Sequence, residues 1–112
     1  MKLIKAYVHH VRTADVVQAL ADAGYRNLAL FDVKGTLKAL NDDERYYSAE
    51  GAGLLIGEVQ LELVCDDIEV VAATAIIRTH GQIGSQVSGW VYVSPIDQAL
   101  PIGGEPSGMQ AN

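Results

Sequence analysis

Apolar residues recur along this chain in two rhythms, one of period two and one of three to four. Lys2 to His9 is rich in β-formers with rough alternation, and predicts a first strand. Thr13-Ala14-Asp15 then offers a hydroxyl N-cap and a carboxylate in the first turn of a helix. Val16, Val17, Leu20, Ala21 and Ala23 give that helix one apolar face, and Gly24 stands where a C′ residue would stop it. Leu28 to Val33 is a second strand. Glu58 to Cys65 alternates polar and apolar as far as Leu63, which predicts a half-buried third strand. Asp66-Asp67-Ile68-Glu69 has the form of a capping box and opens a second helix through Arg78, ended by Gly81. Gly89 to Ser94 is the fourth strand, closed by Pro95.

The order βαββαβ suits an α+β domain, an antiparallel sheet with both helices on one face. The outward positions of strand three include Glu58, Gln60 and Glu62, while the other strands are apolar at most positions. Burying that second face against copies of the same chain is the simplest solution, so a closed homo-oligomer is expected. From Lys34 to about Ile56 the rhythm dissolves into a charged tip, Asn41-Asp42-Asp43-Glu44-Arg45, a Tyr46-Tyr47 pair and a run of small residues. A stretch of that length without periodicity inside a compact domain usually carries function. The domain is read as residues 1–102, with residues 103–112 as a flexible tail rich in Gly and Pro.

Composition narrows the function. The chain has 112 residues, 49% hydrophobic and 20% charged, and a net charge of −6. Its eight Lys and Arg are scattered, which argues against a nucleic-acid partner. No apolar run reaches the length of a membrane span, and the start reads as a strand and not a signal peptide. Cys65 is the single cysteine, so no internal disulfide forms, as suits a cytoplasmic protein. No nucleophile–base pair, metal-ligand quartet or Walker loop is present, and the chain is read as a non-enzyme that holds no metal.

Several segments resemble the PII family of nitrogen and carbon signalling proteins. Met1 to Ala6 is similar to the family's first strand, and Asp32-Val33-Lys34-Gly35 to the entry of its long T-loop, here about residues 35–56. Val59 to Val64 falls at the third strand, and Val91-Tyr92-Val93-Ser94-Pro95 fits the last one. The most specific piece is Gly81-Gln82-Ile83-Gly84, after Ile76-Ile77-Arg78-Thr79, which resembles the family's Thr-Gly-Lys-Ile-Gly-Asp-Gly-Lys. The resemblance implies a ferredoxin-like fold, a homotrimer, and adenine nucleotide in clefts between subunits. It implies that Gly35, Thr36, Leu37, Lys38, Val64, His80, Gly81, Gln82, Ile83, Gly84, Gly89 and Trp90 line that cleft. Closely spaced glycines independently favour phosphate binding, because backbone N–H groups approach oxygen without a Cβ in the way.

Departures from the family pattern set the expected ligand. At the loop base the second glycine and the arginine–glutamine pair become Leu37, Lys38 and Ala39; Glu58, Trp90, Pro101 and Gly103 stand where the family carries cations. A site stripped of cations is expected to favour ADP or AMP over ATP, and to lack a response to 2-oxoglutarate. Divergent PII-like branches are associated with bicarbonate handling or with metal-efflux transporters. The reading adopted is control of a bicarbonate transporter or carbon-fixation component through the T-loop, with Lys38 and Arg45 as counter-charges for bicarbonate and Tyr46 and Tyr47 as partner anchors. The alternatives are a small ferredoxin-fold enzyme using His80 or Asp66 as acid–base groups, a ligand-free trimeric adaptor, and a regulator of heavy-metal efflux.

Individual residues have plainer readings. His9 and His10, adjacent on a strand, would point to opposite faces and so could not chelate together. His80 equally suits the role of a favourable cation at a helix C-terminus. Cys65 reads as a small core hydrophobe, and Trp90 as packing at a subunit interface or on an adenine ring.

Overall fold

The computed structural model describes residues 1–35 and 56–104. Strands β1 (Lys2–His9), β2 (Leu28–Gly35), β3 (Ile56–Cys65) and β4 (Gly89–Pro95) form one antiparallel sheet in the order β2-β3-β1-β4. Helices α1 (Thr13–Asp22) and α2 (Val70–His80) follow β1 and β3, completing the βαββαβ order of a ferredoxin-like fold. The strands flanking the long connection are longer than their side-chain pattern predicts. Lys34 pairs with Gly57 and Gly35 with Ile56, because a backbone ladder continues without side-chain alternation.

The period-two pattern decides which face carries the helices. Ile4, Ala6 and Val8 of β1 and Leu61, Leu63 and Cys65 of β3 are buried against Val16 and Leu20 of α1 and Ala73 and Ile77 of α2. Each large aliphatic side chain fully removed from water contributes about 1.5–3 kcal/mol, so this layer is the main stabilising term.

On the other face the register aligns Tyr7 with Gln60 and Trp90, and Phe31 with Gln60. Phe31, Val64, Trp90 and Tyr92 are each 47–58% exposed there, and the Tyr7 and Tyr92 rings meet edge to face with centroids 6.1 Å apart. Charge is interleaved with these rings: Lys5 Nζ lies 3.6 Å from Glu62, which also accepts from Gln60 Nε2 at 3.0 Å. Glu58 shares this outward face, opposite His9, yet is buried, unlike the open position expected of it.

Both helix starts differ from the capping expectation. The chain leaves β1 through a 3-10 turn, His10–Arg12, so Thr13 is already helical and Arg12 is the N-cap. Thr13 donates its hydroxyl back to the His9 carbonyl at 3.5 Å. The cap of the turn is His9, whose Nδ1 accepts from the Val11 N–H. Asp66 likewise caps only a 3-10 turn, Asp67–Glu69, and without a side-chain bond. Asp67 turns instead to the Met1 ammonium, 2.7 Å away, whose hydrogen bond holds its carboxyl below the usual range. The short turns let the chain change direction before the α-helical ladder begins, which leaves the capping side chains misplaced.

The helix ends follow expectation. Gly24 has φ +99°, its N–H bonds the Ala21 carbonyl at 3.0 Å, and the Tyr25 N–H bonds the Leu20 carbonyl at 2.9 Å. That is a Schellman closure, and it needs the left-handed conformation a glycine adopts without strain. His9 and His10 are not on opposite faces: the strand ends at His9, and the two rings stack at 4.6 Å with an interplanar angle of 28°. Among the described residues no group of three or more His, Cys, Asp or Glu is placed to hold a metal, and no helix is long and apolar enough to cross a membrane.

Candidate functional site

Helix α2 runs apolar from Val70 to Ile77 and then becomes polar at Arg78, Thr79 and His80, where Gly81 caps it through its N–H to the Ile77 carbonyl at 2.9 Å. The chain cannot re-enter the sheet at once, and residues 82–88 form a loop before β4. One side chain closes that loop on itself. Ser88 Oγ accepts the Ile83 N–H at 2.9 Å and lies 3.0 Å from the Ile83 carbonyl and 3.1 Å from that of Gln86. Gln82 Nε2 adds a bond to the Gly84 carbonyl at 2.9 Å.

At Gly89 the loop meets β1 so closely that a Cβ would overlap the Tyr7 carbonyl oxygen, so the re-entry point admits no side chain. The result is an open cavity of about 660 Å3 between the end of α2, the loop and the first residues of β4. Of the residues anticipated for a nucleotide cleft, Gly81, Gln82, Gly89 and Trp90 line it together. Ile83 lies in the loop but is drawn into its Ser88 closure, and Gly84 in its turn; neither lines the cavity, and His80 stands exposed on the last helical turn outside it.

Val64 is elsewhere. It pairs with Leu3 whereas Gly89 pairs with Val8, five residues along β1 or about 17 Å at the usual strand rise. There it borders a separate cavity of about 590 Å3 with Leu3, Leu28 and Cys65. Gly35 is at the same sheet end as Gly89 but on the opposite edge strand, three strand spacings across and three residues further along, or about 17 Å away. Within one chain, the anticipated residues therefore occupy separate corners of the sheet. Thr36, Leu37, Lys38, Arg45, Tyr46 and Tyr47 lie outside the described residues.

Comparison with known proteins decides the lineage. The family model for nitrogen regulatory protein P-II matches residues 1–105. The chain belongs to the PII family. The P-II nitrogen regulatory protein of Mesorhizobium japonicum is 30% identical over 111 residues, 99% of this chain and 99% of that protein. A GlnB-like protein of the nitrogen-fixation nifHD region of Methanothermobacter marburgensis is 29% identical over 104 residues, covering 91% of this chain and 93% of its own length. PII proteins are signalling regulators.

Among the cavity residues that sequence reasoning did not single out one by one are Arg78, Val87 and Ser88. Arg78 had been absorbed into the helix pattern, although a cation four residues ahead of a glycine-rich loop was a usable signal. Val87 and Ser88 fall in the stretch where this chain carries extra residues relative to the PII motif, so the resemblance could not place them.

Cys65 is buried at the opposite end of β3. Burial pushes its thiol up, helped by Glu69, Asp66 and Asp67. Burial also raises Tyr25, again with Glu69 beside it. Cys65 is a core group and Tyr25 packs against that core, as the hydrophobic reading of Cys65 requires.

Proposed function

We propose that this PII protein is a non-enzymatic cytoplasmic regulator that assembles as a homotrimer and binds ADP or AMP at least as tightly as ATP in its intersubunit clefts. Its nucleotide state is passed to a partner through residues 35–56. The observation that carries this reading is the cavity beside Gly81 and Gly89, open enough for a nucleotide and lined largely by neutral residues. Gly35, Val64 and the Gly81–Trp90 segment stand at separate corners of one sheet, so a cleft that combines them takes two chains. The exposed Tyr7, Phe31, Trp90 and Tyr92 side chains supply aromatic surface for such an assembly. The partner in this reading is a bicarbonate transporter or carbon-fixation component, with bicarbonate as second ligand near the loop base against Lys38 and Arg45.

Light scattering combined with titration of ADP tests the assembly and the site together. The expected result is a mass of three chains with one nucleotide per chain. A monomer at micromolar concentration that binds no adenine nucleotide would contradict the proposal.

A further inference from the structure

Strand β1 runs out on two adjacent histidines whose ring nitrogens play opposite parts. His9 is 1% exposed, and its Nδ1 accepts the Val11 N–H at 3.3 Å, the side-chain cap of the 3-10 turn. A ring nitrogen that accepts carries no proton, so the capping ring is neutral with its hydrogen on Nε2. His10 opens the turn, and its Nδ1 lies 3.0 Å from the Gly57 carbonyl oxygen. A carbonyl only accepts, so here the proton sits on Nδ1. The two rings stack with centroids 4.6 Å apart. The turn therefore ties the end of β1 to Gly57, which pairs with Lys34 next to the last rung of the sheet, Gly35 with Ile56.

Among the described residues, the charged neighbours of His9 divide in their effect. Glu58, 6% exposed, stands directly opposite His9 in the register and on the same face. Residues so paired have Cβ atoms about 4.5–5.5 Å apart. Val33, the β2 partner of Glu58, is apolar, and β4 ends one rung short of His9, at Gly89. In the turn, Arg12 is paired with Asp15 of α1 at 3.2 Å, and Lys34 stands near the end of β2. The next charges along the face, Lys5 and Glu62, are four residues or about 13 Å away and meet each other at 3.6 Å. Burial, the stacked ring and the use of Nδ1 as an acceptor all oppose a proton on His9; of these groups only Glu58 favours one.

We propose that His9 is a proton-operated cap: neutral, it holds the 3-10 turn through Val11, and protonated, it gives up that bond for Glu58 and frees the turn at this end of the sheet. The proton comes from solvent and takes the Nδ1 lone pair that had accepted the Val11 N–H, leaving two donors face to face. Histidine is the side chain whose charge changes in the range from about pH 5 to about pH 8. Because the capped state resists the proton, its folded pKa lies below the unfolded value near 6.5. The cap's contribution is complete above that value and is lost as pH falls through the folded one. His10 carries the change onward, since its bond to Gly57 belongs to the same turn and reaches the first rungs of β3. Acidity thereby becomes an input to this regulator that needs no bound ligand.

Nitrogen–proton correlation spectra of the full chain, recorded from about pH 8 to about pH 5, follow the His9 ring and the Val11 amide together. The two should move with one common midpoint, the amide losing its hydrogen-bonded shift as the ring gains its proton. His9→Asn puts an Oδ1 where Nδ1 stood, so the turn keeps an N-cap acceptor that does not titrate, and Val11 then holds its shift across the range. Glu58→Gln removes the cation's partner and lowers the midpoint by about one pH unit or more. A Val11 amide that is unmoved while His9 titrates, or that moves as much in His9→Asn, overturns the switch, as does a His9 that stays neutral throughout. Should His9→Asn fail to fold, Glu58→Gln decides alone: an unshifted midpoint overturns the exchange of partners.

Discussion

Replacing Gly89 by alanine places a methyl group where β1 and β4 come closest. Gly89 pairs with Val8 in the ladder, and an added Cβ would overlap the carbonyl oxygen of Tyr7, a backbone atom that cannot rotate away. The two strands must separate locally. Forcing an extra carbon into packed structure costs about 1–3 kcal/mol, and the upper half of that range applies because the obstacle is backbone.

For a chain of this size, about 4–8 °C of melting temperature is lost per kcal/mol. Gly89→Ala should therefore melt roughly 10 °C or more below the unmodified chain. Gly24→Ala is the matched control: nothing lies within 4 Å of its Cβ, and its only penalty is the left-handed φ of +99°, about 1–2 kcal/mol. Thermal unfolding followed by circular dichroism, at one chain concentration because assembly shifts the midpoint, measures both. Gly89→Ala matching the unmodified chain within about 0.5 kcal/mol, the scatter of surface substitutions, would refute the close approach of β4 to β1.

Two further predictions concern single side chains. The buried Cys65 thiol, held up by burial and by Glu69, should react with a disulfide reagent at pH 8 far more slowly than in the urea-unfolded chain; equal rates would contradict its burial. Because its folded pKa is raised, the stability it contributes is complete below the unfolded value near 8.5 and falls as pH rises beyond it toward the folded value. Ser88→Ala removes the acceptor of the Ile83 N–H and the single hydroxyl donor that lies between two carbonyls, which should cost about 1–2 kcal/mol. It should also weaken nucleotide binding, measured by titration, and unchanged affinity would show that the loop holds its shape without Ser88.

The strands were legible because one face of the sheet is buried, which writes period two into Ile4-Ala6-Val8 and Val59-Leu61-Leu63. The helix stops were legible for a similar reason: Gly24 and Gly81 stand where the backbone needs them. The helix starts were not. Thr13 and Asp66 have the right chemistry for a cap, but a 3-10 turn before each helix takes the capping position away. His9 and His10 were misplaced by the same turn, since strand alternation stops at His9 and does not reach His10.

At the site, the family resemblance and the closely spaced glycines pointed to the Gly81–Trp90 segment but not to its walls. Arg78 is separated from Trp90 by a loop whose path depends on the Ser88 bonds, and no spacing rule carries that information. Val64 and Gly35 illustrate the limit more sharply. Both were anticipated in one cleft, yet strand register sets each about 17 Å from Gly89 within the chain.

Isothermal titration of ATP, ADP and AMP into the assembled protein tests the central claim most directly. Glu58, Trp90, Pro101 and Gly103 stand where the PII pattern carries cations, and the cavity keeps Arg78 as its charge among the described residues. The account predicts measurable binding of one nucleotide per chain, with ADP or AMP at least as tight as ATP. ATP binding tenfold tighter than both, or no heat with any of the three, would contradict it.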